Sequence, residues 1–376
     1  MLAPDLAAAP ARVLMTTDTV GGVWRYALEL ARGLTGGGTE VILAVMGPPA
    51  TPEQLGEAAA IDGVVIVEGS FDLEWMPGAD DDVLRAGAWL MELEAAYAPD
   101  IVHLNGYAHA GLPWQAPVGV VAHSCVLSWW RAVHGEDAPP EWDGYRTRTA
   151  AGLRAADLVV VPTRAFLRTI EALYGPGLRT RVIWNGRNAP KIECIEKQPI
   201  VFAAGRIWDD AKNLRMLASV AKDLPWPVCV AGPGVPERGD CAGLARNVRW
   251  LGSLAPAAMS VWHAQAAIFV TPSRYEPFGL AALEAALAGC ALVLGDVPTL
   301  RELWAGAAMF VPPDDREQLA YALGSLIEDD DLRTTLGRLS KRRAATFSAA
   351  RMTAAYRDAY AEVIASHGNA IRALAH

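Results

Sequence analysis

The chain has 376 residues, 52% hydrophobic and 20% charged, with 34 glycines and 25 prolines marking many short connections. This is enough apolar material for two cores and excludes a disordered chain, while a net charge of −9 argues against a nucleic-acid backbone as the main partner, since neutralising phosphates needs a basic surface. Cys125, Cys194, Cys229, Cys241 and Cys290 are odd in number and widely spaced, residues 1–11 lack a basic leader, and no apolar run reaches the ~18 residues of a spanning helix, so a cytoplasmic protein without a transmembrane segment is expected.

Residues 12–17 read as a short apolar strand, and Asp18-Thr19-Val20-Gly21-Gly22 leads into a helix whose positions Trp24, Ala27, Leu28, Ala31 and Leu34 share one apolar face. Further strands are expected at 41–45, 64–67, 101–104, 118–122, 158–161 and 181–184, with a helix over 80–97 and helical patterns after the later strands. Alternation of this kind predicts an open parallel sheet with helices on both faces, whose ligands bind at the carboxyl ends of the strands. The Gly21-Gly22 loop and His123, which follows the strand 118–122, therefore lie on the binding edge. The glycine pair lacks the G-x-G-x-x-G spacing of a dinucleotide fingerprint. After His123, residues Trp129, Trp130, Arg131, His134 and Trp142 are expected to form an aromatic and polar loop, able to stack an acceptor or to pack under a lid.

The pattern lapses near Asn185, and a second alternating series begins at the strand 200–204. It continues with a helix over 211–221 and strands at 228–230, 248–251, 268–270, 292–294 and 309–311. The expected organisation is a first domain over residues 1–187, joined by a returning C-terminal helix over 351–376, a linker at 188–198 and a second domain over 199–350. The stripe Met352, Tyr356, Tyr360 and Val363 on the last helix would pack back onto the first domain. The acid runs Asp80-Asp81-Asp82 and Asp329-Asp330-Asp331 read as helix starts, and no metal motif is visible.

The chemistry concentrates in the second half. Gly205-Arg206 closes one strand and Lys212 opens the next helix, where a cation opposes the macrodipole and is best tolerated with an anion between them. Arg206 offers a fork and Lys212 a point charge, a combination suited to two neighbouring phosphoryl groups. In Ser273-Arg274-Tyr275-Glu276-Pro277-Phe278-Gly279-Leu280 a strand turns into an alanine-rich helix, aiming free N–H groups beyond the strand end. Glu276 lies in that turn, and Glu284 sits among small apolar residues, where a carboxylate without a partner would be costly.

These residues resemble the GT4 family of retaining glycosyltransferases, which have the GT-B fold. The family's E-x7-E element is similar to Glu276 through Glu284, its Gly-Arg and Lys-Asn phosphate pair to Gly205-Arg206 and Lys212-Asn213, and its Asn-Gly before the linker to Asn185-Gly186; Gly21-Gly22 and His123 match its first-domain glycine loop and active-site histidine. The resemblance implies an α/β fold of two doubly wound, Rossmann-like parallel-sheet domains facing a central cleft. It implies a UDP- or GDP-linked sugar as donor substrate, with no further cofactor and no metal. The catalytic residues would be His123 beside the transferred sugar, Arg206 and Lys212 on the diphosphate, and Glu276 on the sugar. Gly21, Gly22, the N–H groups of Phe278, Gly279 and Leu280, Leu254 near the base and Glu284 on the ribose would complete the donor site.

Two loops depart from the family pattern: Ala231-Gly232-Pro233-Gly234 stands where Gly-Asp-Gly-Pro is common, and Asp296-Val297-Pro298-Thr299 where Gly-Gly is usual. Both are donor-side loops. The acceptor, whether sugar, glycan, lipid-linked molecule or small molecule, is left open. Two other readings also stand: a GT-B epimerase acting on the nucleotide sugar itself, and a non-catalytic two-lobed binding protein.

Overall fold

A computed structural model describes residues 10–189, 195–234 and 247–374. Cys194, Cys241 and residues 190–194 of the expected linker lie outside the described residues. The chain forms two compact units: the first takes the described residues up to Ser128, Asp137–Gly186 and those from Ala349 on, and the second takes Trp129–Glu136 and Arg187–Ser348.

The first unit is built on a seven-stranded sheet in the order β3-β2-β1-β4-β5-β6-β7. Its strands are β1 (Arg12–Asp18), β2 (Glu40–Met46), β3 (Val64–Glu68), β4 (Ile101–Leu104), β5 (Val118–Val121), β6 (Leu158–Val161) and β7 (Thr180–Val182), and each neighbouring pair is parallel. All residues of β4, β5 and β6 are buried, as strands covered on both faces must be, which is why β5 and β6 read as continuous apolar runs and why His103 is enclosed in β4. Helix Gly22–Thr35 buries Trp24, Ala27, Leu28, Ala31 and Leu34. The last helix, Ala349–Leu374, buries Met352, Tyr356 and Tyr360 in the same unit. Its Arg357 donates to the carbonyls of Gly33 (2.9 Å) and Leu34 (3.2 Å), closing the open C-terminal end of the first helix.

The second unit holds a six-stranded parallel sheet in the order β10-β9-β8-β11-β12-β13. These strands are β8 (Gln198–Ala204), β9 (Val228–Ala231), β10 (Val248–Gly252), β11 (Ala266–Thr271), β12 (Ala291–Gly295) and β13 (Met309–Val311). Successive side chains fill opposite faces. Phe202, Phe269, Leu292 and Leu294 join the core beneath helix Leu280–Leu287, while Val201, Ala203, Ile268, Val270 and Val293 join the core on the other side.

Several expectations are corrected. Lys212 does not open a helix: it ends the 3-10 turn Asp210–Lys212, and Asn213, at φ 54°, separates it from helix Leu214–Ala221. Trp129, Trp130, Arg131 and His134 lie on a helix, Val126–His134, rather than in a loop. Trp129–Glu136 groups with the second unit, where the Trp129 indole N–H donates to Asp209. Arg187 falls in the second unit because its N–H donates to the Phe347 carbonyl (2.9 Å), and β8 begins at Gln198 because that residue pairs with Ala266. The returning helix begins at Ala349, two residues earlier than expected. Strand β7 stops at Val182, and Trp184 is 36% exposed.

In both sheets the strand order reverses once, between β1 and β4 and between β8 and β11. At such a point the connections leave in opposite directions and open a crevice at the carboxyl ends. One close approach shapes the crevice of the second unit: a Cβ added to Gly232, at φ 150°, would lie 1.8 Å from the Gly205 carbonyl oxygen. Gly232→Ala is expected to cost roughly 3 kcal/mol, measured as a lowered urea midpoint, because backbone must move at a position where only glycine is unstrained.

Candidate active site

In the second unit the switch point gathers the predicted phosphate and sugar residues. Asp209, 3% exposed, organises the segment after β8: its Oδ1 accepts from the Ala211 N–H (3.0 Å) and the Trp129 indole (3.0 Å), and its Oδ2 from Arg206 (2.7 Å). Burial pushes its carboxyl pKa up, but the charge and hydrogen bond of Arg206, with Trp129 and Lys212, outweigh this and hold it below its ordinary value. Arg206 also covers the exposed Trp208 ring, 5.1 Å from its centroid. Lys212 Nζ donates to Glu276 Oε2 at 2.6 Å, an ion pair that spans the switch point from the β8 side to the β11 side. Their side chains are 20% and 15% exposed.

Glycine makes this packing possible. A Cβ on Gly205 would sit 3.2 Å from Lys212 Cγ, and one on Gly279, at φ 87°, would sit 3.3 Å from Glu276 Cγ. Gly279 starts helix Leu280–Leu287, so the first N–H groups of that helix lie beside Glu276. The Glu276 carbonyl accepts from Thr299 Oγ1 (2.5 Å). Asn213, in its left-handed conformation, donates Nδ2 to the carbonyls of Pro272 (3.1 Å) and Pro313 (2.5 Å), fastening the segments after β11 and β13 to the one after β8. Glu284 pairs with Arg187 at 3.0 Å, so the two acids of the E-x7-E element are held by different cations. The Phe278 ring belongs to the core, edge-on to Phe347 at 5.9 Å, and Leu254 packs half-buried against the same core.

In the first unit Gly21 caps helix Gly22–Thr35 at φ 81°, a conformation that favours glycine. His123 is half-buried after β5, and its Nε2 lies 2.8 Å from Asn105 Oδ1. The same oxygen is 3.1 Å from His103 Nε2, and His103 Nδ1 is 2.5 Å from the Tyr360 hydroxyl. Tyr26 stands edge-on to His123 at 4.4 Å, and Tyr356 lies 5.6 Å from His103. Burial, reinforced by the neighbouring His103, lowers the His123 pKa to about 3. Burial lowers that of His103 to about 4, against the opposing effect of the hydrogen bond that its Nε2 makes to Asn105. Both rings are therefore neutral at neutral pH.

Three functional candidates were not singled out from sequence. Asn105 follows β4 by one residue, Asp209 lies between Arg206 and Lys212, and Arg187 directly follows Asn185-Gly186. Each sits next to a recognised motif, and a search for the counter-charge or acceptor those motifs require would have reached it. The histidine pair also sets a pH dependence. Folded, both stay neutral down to about pH 4; unfolded, both take up protons below their ordinary 6.5, so stability is lost as pH falls through that range. Urea unfolding between pH 6 and 4.5 should show a slope approaching two protons, about 1.4 kcal/mol per pH unit for each. His123→Asn should lower the slope by about one proton.

Two family models match the chain in succession: Glycosyltransferase Family 4 over residues 20–189 and Glycosyl transferases group 1 over residues 198–329. Glycogen synthase of Mycobacterium tuberculosis is 25% identical over 370 residues, with 86% of each chain covered. D-inositol 3-phosphate glycosyltransferase of Kineococcus radiotolerans is 26% identical over 386 residues, with 88% of each covered. Among solved structures, sucrose-phosphate synthase from Thermosynechococcus elongatus superposes with a TM-score of 0.73 at 20% identity, covering 96% of this chain and 98% of the other. Anabaena Alr3699/HepE in complex with UDP and glucose also gives 0.73, at 16% identity, covering 93% and 99%. Matched along both halves by glycosyltransferase models and sharing their two-sheet architecture, the chain belongs to the GT4 glycosyltransferases and has the GT-B fold.

Proposed function

We propose that this glycosyltransferase is a retaining, metal-independent enzyme that takes its sugar from a UDP- or GDP-linked donor. The observation that carries the reading is the constellation at the β8/β11 switch point: Arg206, Lys212 and the start of helix Leu280–Leu287 arranged around Glu276. Breaking the bond to the leaving diphosphate places negative charge on the distal phosphate. Fixed cations and helix N–H groups stabilise charge that develops there without having to reorganise. The likeness to HepE, whose structure holds UDP and glucose, supports a uridine-type donor.

In this reading Arg206 and Lys212 hold the diphosphate, and Lys212 leans from Glu276 toward the leaving oxygen. Glu276 and the N–H groups of Phe278, Gly279 and Leu280 address the sugar and distal phosphate. Glu284, oriented by Arg187, takes the ribose hydroxyls, and Leu254 borders the base. On the first unit, Gly21, Gly22 and His123 serve the transferred sugar. Because Glu276 is committed to Lys212, we favour attack on the same face as departure, with the leaving phosphate accepting the proton of the acceptor hydroxyl. No helix among the described residues is long and apolar enough to cross a membrane. The reading includes a cytoplasmic location, in keeping with Cys125, Cys229 and Cys290, which form no disulfide.

The test is incubation with UDP- and GDP-hexoses in the presence and absence of a chelator, with the anomeric configuration of the product read by NMR. Absence of both transfer and donor hydrolysis, an inverted product, or loss of rate on chelation would each reject the corresponding part of the proposal. Epimerised donor without acceptor would favour an epimerase. Glu284→Ala is expected to weaken donor binding about tenfold with the fold intact, as a lost charged hydrogen bond is worth ~1.5 kcal/mol; a change within about twofold by calorimetry would exclude the ribose role. Lys212→Ala should lower kcat by about a hundredfold and leave KM nearly unchanged, since the leaving-group charge grows in the transition state. Steady-state kinetics showing equal losses in affinity and turnover would count against that role.

A further inference from the structure

We propose that Asn105 is a positioning residue that fixes the tautomer of His123, leaving its Nδ1 as a bare acceptor for a hydroxyl of the transferred sugar. The inference deepens the proposed function and rests on its placement of His123 at the sugar.

The orientation of the carboxamide is decided by β1. Asn105 Nδ2 lies 2.7 Å from the Thr16 carbonyl oxygen, which can only accept, so the amide end must face β1 and Oδ1 must face the histidines. The Asn105 N–H donates to Thr16 Oγ1 (2.9 Å), and Thr16 is buried, so the residue is held at both its backbone and its side chain. An amide oxygen only accepts. The 2.8 Å and 3.1 Å contacts to His123 and His103 therefore each require a proton on Nε2. In a neutral imidazole that leaves Nδ1 as a lone pair. On His103 it is filled by the Tyr360 hydroxyl, which must be the donor. On His123, among the described residues, no group donates to it.

The consequence is a rule about the ligand. An Nδ1 lone pair on a ring that is only partly buried accepts a hydrogen bond from a hydroxyl and repels a group that offers only lone pairs. The donor sugar should therefore carry a hydroxyl at this position, and a uronic acid carboxylate should be disfavoured. The titratable groups packed against the two rings, among the described residues, are Tyr26 on helix Gly22–Thr35, Tyr356 and Tyr360 on helix Ala349–Leu374, and the partner imidazole. Burial pushes all three phenols up, so none carries charge near neutral pH to favour an imidazolium.

The ring state can be read without substrate, by nitrogen-15 NMR of histidine-labelled full-length protein at pH 7, with His123→Asn assigning the signal. His123 is expected as the neutral Nε2–H form, shifting toward the other tautomer in Asn105→Leu. A wild-type Nδ1–H ring, or an unchanged ring in a folded Asn105→Leu, overturns the proposal whatever the kinetics show. Asn105→Asp keeps shape and acceptor but places a carboxylate against both imidazoles, raising their pKa and protonating Nδ1. Its hydrolysis of UDP-glucose, or of GDP-mannose if that is the donor used, should fall by up to about tenfold from pH 7 to 5, as a carboxylate lifts the His123 pKa from about 3 toward ~6, while the wild type stays flat across that limb. A flat profile in both overturns the proposal. If the tautomer is as expected but His123→Asn turns over within twofold of wild type, the placement of His123 at the sugar is what fails, and the acceptor role fails with it.

Discussion

The structure depends on one topological constraint repeated twice. Parallel strands need crossover connections, and a sheet that grows in both directions from its middle must reverse strand order once. Here the reversals fall between β1 and β4 and between β8 and β11. The loops leaving each pair of strands diverge, so their backbone groups are left unpaired by the sheet and become available to a ligand. Gly21 and Asn105 come from one such pair of strands, and Arg206, Lys212 and Glu276 from the other.

What fills those openings is charge that has already been partnered. Lys212 is held by Glu276, Arg206 by Asp209 and Glu284 by Arg187. A lone cation with so little exposure would carry an uncompensated desolvation cost, and removing either partner leaves the other stranded. The pairs hold the groups in place before any ligand arrives, which is the condition for electrostatic stabilisation without reorganisation. The first unit works by the opposite means. Its two histidines are kept uncharged by burial and ordered by a neutral amide, so that it offers hydrogen-bond direction rather than field.

Much of this was legible from local sequence. Strands β6 and β12 announce themselves as short runs of valine and leucine because both their faces are covered, and helix Asp80–Tyr97 begins and ends where its acids and apolar spacing place it. Gly205-Arg206 and Glu276 to Glu284 stood out because they follow strand ends, and a family resemblance marked their spacing. The apolar pattern from Ala211 onward has helical spacing and carries Lys212 with it; the left-handed Asn213 that breaks it has no signature in periodicity, since its cause is the pair of carbonyls that its side chain reaches. The partners of the site residues were illegible for a similar reason. Arg187 and Glu284 are far apart in sequence, as are Asn105 and Tyr360, and only the assembled units bring the former together or link the latter through His103.

Asn213 carries a consequence for how the family's chemistry can vary. One carboxamide ties together three loops that belong to different strands, with Arg274 adding a second tie through its N–H to Ala211 (2.9 Å) and its guanidinium to Asp314. The position of Lys212 is thus a joint property of distant chain segments. A substitution near Pro313, which touches no phosphate ligand proposed here, would be felt at Lys212 as lost order rather than lost charge. Evolution can therefore retune the rate by adjusting how firmly the ammonium is held, while every residue of the recognisable motif stays the same.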